Sequence, residues 1–380
     1  MITHSISMIE STAFGPLLGN LASASDMLNE AELFLSPAYR GPRFLLGRNE
    51  HSAALLHTAG IDSLIDGIVD DHADGTTWQG KPVLAGENVP TDAMIVNCSM
   101  SIAPVSASRR LRALRFKSSL NYADLMAARP DLIPAPAFVT EMRANLVEHT
   151  SRWNALYAQL KDEESKTIFT DVLRFRLTAD PLYMASYSIR FSDQYFEDFL
   201  PLQNAIFVDA GGFNGDTTEE FCKRYPDYRE VILFEPSATN MADAKLRLAE
   251  HRDIRFIEQG ISDAPGTLWF NSDAGSASAV STEGACRIDV TTLDIALSDA
   301  VTFIKMDLEG WEMKALAGAE QHIRNDYPTL AISVYHSTSD FWRIPEYIAS
   351  IRQDYDIYLR HYTEGWSETV MFFIPKTTAD

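Results

Sequence analysis

VDAGGFNGDTT, residues 208–218, decides how this chain folds. The apolar run AIFVDAG (205–211) enters a glycine-rich turn, and the turn opens into a helix. At such a strand-to-helix turn, backbone N–H groups come close to a ligand at the positive end of the helix. Asp209 stands at the carboxyl end of the strand, where open α/β sheets bind their ligands. The glycines Gly211, Gly212 and Gly215 do not form GxGxxG, and acids flank them at Asp209 and Asp216.

Outward from this turn, residues 200–376 hold seven strand candidates separated by helical segments. They are AIFVDAG, VILFEP (231–236), IRFIEQGI (254–261), TFIKMDL (302–308), LAISVYH (330–336), YDIYLRHY (355–362) and ETVMFFIP (368–375). The first five are near-continuous apolar runs, as buried parallel strands are. Only TEGWS joins the last two, too short for a crossover, so they run antiparallel. TLWF (267–270) and CRIDVTTLD (286–294) read as an inserted hairpin. The small-residue segment 272–284 between them reads as a lid or acceptor loop offering Ser276 and Ser278, or as a plain surface loop.

Polar residues collect at the expected carboxyl ends. Glu235, in LFEPSATN, can accept hydrogen bonds from both hydroxyls of a ribose. In IKMDLEGWEMKALAGAEQHI (304–323), strand alternation puts Lys305, Asp307 and Glu309 on one side, with Gly310 turning the chain into a helix. Lys305 is expected either to face the substrate or to pair with Asp307. His336, in VYHSTSDFW, is the candidate base for a substrate hydroxyl, or else a hydrogen-bonded structural residue. Asp307, Glu309 and His336 are also donors compatible with a divalent ion, although no metal is predicted. Carboxylates repel a pyrophosphate and attract a sulfonium, so the turn at 208–218 tilts from NAD towards S-adenosylmethionine.

The front of the chain has a different texture. RFLLG (43–47), DGIVDD (66–71), GKPVL (80–84) and DAMIVNCS (92–99) are strand-like and alternate with helices, which predicts a small parallel α/β domain over 1–120. Residues 121–200 read as a helical connecting region, with Pro130, Pro134 and Pro136 at its start, and 201–380 as the main domain. SRRLRALRFK (108–117) is the only basic run. On a helix, Arg109, Arg112 and Arg115 form one stripe, read as a solvated face or, through Arg109 and Arg112, as a clamp for acceptor phosphates. Against this run stands a net charge of −21, which disfavours nucleic acid and anionic lipid as partners. Cys98, Cys222 and Cys286 are far apart and make no CxxC, so neither a disulfide framework nor a zinc site is expected. With no signal-peptide pattern and no apolar stretch of membrane-spanning length, a cytoplasmic location is expected.

Residues 160–376 resemble the FkbM family of S-adenosylmethionine-dependent methyltransferases. DEESKTIFTDVLRFRLTAD, VDAGGFNGDTT, FEPSATN, GISD, TTLD, IKMDLEGWEMKALAGA, LAISVYH and YLRHYTEGWSETVMFFIP follow one another in the family's order. The resemblance implies a class I methyltransferase (Rossmann-like) α/β fold, a seven-stranded sheet with an antiparallel last strand. It also implies that Asp209, Gly211 and Gly215 hold the methionine end of the cofactor, with Gly212, Asn214, Asp216, Thr217, Pro236 and Ser237 as further cofactor-binding residues. Glu235 would hold the ribose, EQGISD (258–263) with Gly260 and Ile261 would lie beside the adenine, and Asp307 beside the methyl group. GGFNG departs from the family's usual motif in placing Asn214 one position later. Residues 43–99 also resemble the Rossmann-like domain of sugar-modifying acyltransferases, which implies Gly47 near a nucleotide-sugar phosphate, assisted by Arg48 and Asn49.

The expectation is therefore an O-methyltransferase acting on a sugar, nucleotide sugar or natural product, with His336 as base and Asp307 or Glu309 as alternative or orienter. Self-association is left open. The rival readings are a nucleotide-dependent sugar oxidoreductase, which the missing GxGxxG opposes, and a non-catalytic protein that senses an adenosyl ligand or nucleotide sugar.

Overall fold

The computed structural model describes Gly15 and residues 25–73, 75–270, 280–281 and 286–376. The chain divides into two compact units. The first comprises Met1–Asn154, Thr167–Ile189 and Tyr362–Ser367, and the second Ala155–Lys166, Arg190–His361 and Glu368–Asp380. Residues 121–200 do contain long helices, at Ala137–Glu148, Thr150–Gln159 and Glu163–Thr178, and they are divided between the two units.

The first unit holds a six-stranded sheet in the order β3-β4-β2-β1-β5-β6. Its strands are β1 (Arg43–Leu46), β2 (Gly67–Val69), β3 (Thr77–Trp78), β4 (Lys81–Leu84), β5 (Met94–Asn97) and β6 (Ser118–Asn121). All pairings are parallel except β3 with β4. Two strands go beyond the sequence reading. β3 is two residues long and shows no periodicity, and β6 has only Leu120 as an apolar residue. Phe44, Val69, Ile95 and Leu111 pack into one core cluster on this sheet.

The basic run forms the helix Pro104–Ala113. It carries Arg109 and Arg112, but Arg115 lies beyond its end at φ +56°. The expected three-arginine stripe is thus cut short, because the chain must reverse into β6. The turn Tyr362–Ser367 belongs to this unit, and its Glu364 carboxylate accepts from Ser106 N at 2.6 Å and Ser106 Oγ at 2.7 Å. A carboxylate of the chain itself therefore satisfies the first turn of that helix.

The second unit is built on a seven-stranded sheet in the order β16-β17-β15-β14-β7-β8-β9. Its strands are β7 (Ile206–Ala210), β8 (Glu230–Phe234), β9 (Ile254–Ile257), β14 (Phe303–Met306), β15 (Thr329–Ser333), β16 (Tyr355–His361) and β17 (Thr369–Pro375). The first five of these are parallel, and β17 runs antiparallel to both β15 and β16. From β7 the chain builds outward through β8 and β9, then returns to place β14 on the other side. The switch point for a ligand thus falls between β7 and β14. Phe207, Phe221 and Phe303 fill the core beneath it, with Phe207 stacked on Phe303 at 4.8 Å.

The run 254–261 is not one strand. A tight turn with Gln259 N donating to Ile257 O separates β9 from β10 (Gly260–Ile261), and β10 joins a second, four-stranded sheet. There it pairs with β13 (Cys286–Thr291), which forms the expected hairpin with β11 (Gly266–Phe270), while β12 (Val280–Ser281) lies outside β11. Thr292 leaves the hairpin to cap the short helix Leu293–Ala296. Among the described residues, no helix is long and apolar enough to cross a membrane.

Asp124 sits buried in the capping box of the helix Tyr122–Ala128, accepting from Asn121 N at 2.7 Å. Burial pushes its carboxyl from 3.8 up to about 6, against the opposing pull of that hydrogen bond. Between those values the folded chain keeps a proton that the unfolded chain has released, so this group's contribution to stability falls as pH rises through the window. Asp124→Asn, which keeps the accepting oxygen, should therefore gain on the native protein between pH 4 and pH 7 by on the order of 1–3 kcal/mol. Urea unfolding at both pH values measures it, and an unchanged difference rejects the account.

Candidate active site at the carboxyl edge

The site starts from register. Lys305 on β14 lies directly beside Asp209 on β7, so the two side chains leave the sheet on one face. Lys305 Nζ donates to Asp209 Oδ1 at 2.9 Å and to Gly211 O at 2.7 Å, and Thr218 Oγ1 donates to Asp209 Oδ2 at 2.8 Å. Asp209 is fully buried and Lys305 nearly so. Burial alone would lower the lysine pKa, but the carboxylates of Asp209 and Asp307 outweigh it and hold the ammonium above its ordinary range. The pairing expected between Lys305 and Asp307 is thus replaced by one with Asp209, because a cross-strand neighbour is closer than the next acid on the same strand.

The glycine turn is held from both sides. Gly211 N and Gly212 N both donate to Phe234 O, at 3.0 and 2.9 Å. Gly211 has φ +83°, and a Cβ there would stand 2.1 Å from Asp307 O. One on Gly212 would strike Leu233 Cγ at 2.4 Å. Gly215, at φ +81°, caps the helix Asp216–Arg224, whose first turn carries Asp216 and Thr217. Asn214 gives its carbonyl to Arg247 Nε, while its own Oδ1 is buried without a hydrogen-bond partner. Phe213, 46% exposed, donates its N–H to Glu235 Oε2 at 3.1 Å.

Glu235 follows β8 and is buried. Its Oε1 accepts from Ser237 N at 2.8 Å and Asn240 Nδ2 at 3.3 Å. Burial raises its pKa and these donors oppose the rise. Ser237 also caps the next helix through Asn240 N. Gly260, in β10, lies beside this turn, since a Cβ on it would come within 3.7 Å of Pro236 Cγ.

On the other side of the switch point, Asp307, Glu309 and His336 come together. His336 Nε2 lies 3.2 Å from Glu309 Oε2 and 3.6 Å from Asp307 Oδ1, and its Nδ1 lies 3.0 Å from Glu312 Oε1. Burial would lower the imidazole pKa, but Glu309, Glu312 and Asp307 together hold it well above its ordinary range.

Several members of this group escaped the sequence reading. Glu312, fully buried at the first turn of the helix Glu312–Ala317, accepts Leu308 N at 2.7 Å and so fixes the turn through Gly310. Tyr195 donates to Asp307 Oδ2 at 2.7 Å, touches Ser333 Oγ at 3.2 Å, and lies under the Lys305 ammonium at 5.3 Å. Gln194 bridges Tyr195 and Glu368. Burial, with the Asp307 charge, pushes Glu368 up to about 7, and burial with Glu312 does the same for Asp340. Glu312 was visible as the acid just after the Gly310 turn, but Tyr195 had no local signal.

The remaining expected residues lie elsewhere. Ser276 and Ser278 fall outside the described residues. Arg109 and Arg112 belong to the first unit, where Arg109 donates to Ala185 O. There too, Gly47 takes φ +99°, Arg48 pairs with Asp70, and Asn49 caps the helix Glu50–Leu56.

The strand order and the acids on its carboxyl edge define a methyltransferase-type α/β fold. A crystal structure of methyltransferase FkbM from Methylobacillus flagellatus KT superposes with a TM-score of 0.71 at 24% identity, over 98% of this chain and 98% of that one. An rRNA methylase from Streptococcus thermophilus (TM-score 0.32, 16% identity, 46% of this chain and 88% of that one) is also similar. So is Aeropyrum pernix fibrillarin with bound S-adenosyl-L-methionine (0.31, 13%, 47% and 70%). No curated protein matches. Residues 209–363 match the methyltransferase FkbM domain.

Lys305→Met leaves the Asp209 carboxylate buried without its cation, and the expected loss of stability is about 3–5 kcal/mol. Chemical denaturation measures it. A loss under roughly 1 kcal/mol, the range of an exposed pair, would show that the ion pair does not organise the edge.

Proposed function

We infer that this chain moves the methyl group of S-adenosylmethionine to a hydroxyl oxygen of a small molecule, a sugar, nucleotide sugar or natural product. The observation that carries the reading is Glu235, a buried carboxylate at the end of β8 whose Oε2 accepts a single hydrogen bond, from Phe213 N. A lone-pair direction remains there for a ribose hydroxyl, and the 3.3 Å bond from Asn240, the longest of the set, is the one to yield to the second hydroxyl.

The rest of the edge fits the same ligand. Gly211 and Gly212 keep side chains out of the turn, and the unpartnered Asn214 Oδ1 is an acceptor for the ammonium of the methionine end. Asp216 and Thr217 open the following helix beside them, while Pro236, Ser237, Gly260 and Ile261 flank the adenine side. Asp209 does not meet the sulfonium, because its charge is already matched by Lys305. Its part is to hold the turn.

Bound S-adenosylmethionine supplies a methyl group already activated by the positive sulfur, so placement of the acceptor oxygen carries much of the rate. The hydroxyl proton goes to Glu309, the more exposed carboxylate of the cluster, with a side chain 31% exposed against 21% for Asp307. His336 is held protonated by its three acids and serves to fix Glu309 and Asp307, while Tyr195 anchors Asp307. The free, buried thiols Cys98 and Cys222 suit the reducing cytoplasm.

Calorimetric titration with S-adenosylhomocysteine tests the reading. Native protein should bind saturably, Glu235→Gln should bind at least roughly tenfold more weakly through loss of a charge-assisted hydrogen bond, and NADH should give no signal. Absence of adenosyl binding in the folded native protein would discard the assignment.

A further inference from the structure

We propose that Asp307, Glu312 and His336 bind one divalent cation of the manganese or zinc type at the carboxyl ends of β14 and β15. One oxygen or nitrogen from each residue can be chosen so that all lie within 4.8 Å of one another. Ligand atoms on one ion sit roughly 3 Å apart for bonds of about 2.1 Å, so small side-chain rotations close the site.

The second observation is a set of polar atoms left without partners. Glu312 is fully buried, yet its Oε2 has no hydrogen bond, and Asp307 Oδ1, 3.6 Å from His336 Nε2, is likewise buried and makes none. His336 has a side chain only 9% exposed, and neither ring nitrogen makes an aligned hydrogen bond despite short distances to three carboxylates. Leaving a buried polar group unsatisfied costs about 1–3 kcal/mol, more when it is charged. Several in one place mark a site that a ligand completes.

Local charge points to a cation. Asp340 and Glu368 face the same cluster, Asp340 with the Arg343 cation beside it, while the Lys305 ammonium is engaged by Asp209 and Gly211. The donor set is two carboxylates and one imidazole, whose ring proton the ion would displace on binding, and it suits manganese or zinc better than a thiolate-seeking ion. The partly exposed Asp307 and Glu309 leave a path from solvent. Given the methyl-transfer reading, on which its role rests, the ion would hold the acceptor oxygen and ease loss of its proton to Glu309.

The test uses the full chain, stripped with chelator and titrated with Mn²⁺ by calorimetry and electron paramagnetic resonance, with Zn²⁺ as competitor. One saturable site per chain is expected, weakened at least tenfold in Asp307→Asn, Glu312→Gln and His336→Gln. Glu312→Gln keeps the oxygen that accepts Leu308 N, so the turn survives if another variant unfolds, and melting curves report on folding. Mn²⁺ binding as tight in Glu312→Gln as in the native protein would mark adventitious ions on an acidic surface and overturn the proposal. S-adenosylhomocysteine is titrated in parallel. Its binding without a saturable Mn²⁺ or Zn²⁺ site rejects the ion alone, and a saturable ion site without it upholds the ion and rejects the methyl-transfer reading.

Discussion

Everything at the carboxyl edge depends on one buried ion pair, Lys305 with Asp209. The ammonium joins two neighbouring strands, takes the carbonyl of Gly211, and lies over the ring of Tyr195. Asp209 in turn ties down Thr218 in the following helix. Strand, turn and helix are therefore referred to a single charged group. Such a pair is weak evidence for stability, because desolvating both ions offsets much of their attraction. What it supplies here is position. Gly211 has no room for a Cβ against Asp307 O, so the turn after β7 and the chain after β14 are in contact at backbone level.

The pairing also relocates the negative charge of the site. An acid beside a glycine-rich turn suggests a carboxylate offered to a cationic ligand, but Asp209 is both neutralised and sealed from solvent. The acids still open to chemistry follow β8 and β14. Tyr195 links the two arrangements, since its ring faces Lys305 and its hydroxyl holds Asp307. The positive group that fixes the turn thus also fixes the carboxylate beside which the acceptor would lie.

Much of the fold was legible because buried parallel strands are long apolar runs, and 205–211, 231–236, 302–308 and 330–336 stand out on that ground alone. The acids of the site were legible for a topological reason, since Asp209, Glu235 and Asp307 each close such a run. What could not be read was contact across distance. Lys305 pairs through strand register, Tyr195 reaches Asp307 from another part of the chain, and Glu368 meets Gln194 from the start of β17. The left-handed turn at Arg115 was invisible for a local reason, because it carries neither the glycine nor the proline that marks a turn, while the break at Gln259 had Gly260 beside it and was hidden by the apolar run around it.

The chemistry at the edge also bears on the kind of acceptor it suits. A sulfonium donor needs little help beyond alignment, so a site for it can be poor in acids and bases and rich in shape. This edge is instead crowded with carboxylates around one imidazole, an arrangement suited to removing or stabilising a proton. That favours an acceptor that loses a proton as it is methylated, as a hydroxyl does, over a thioether or a tertiary amine, which does not. It also disfavours a polyphosphate backbone, which would meet Glu235 on one side and Asp307 with Glu309 on the other. On the methyl-transfer reading proposed above, a hydroxyl-bearing sugar or natural product would meet both constraints, because it gives its proton to the edge without adding negative charge, whereas a nucleotide sugar would meet them only with its diphosphate held away from these acids.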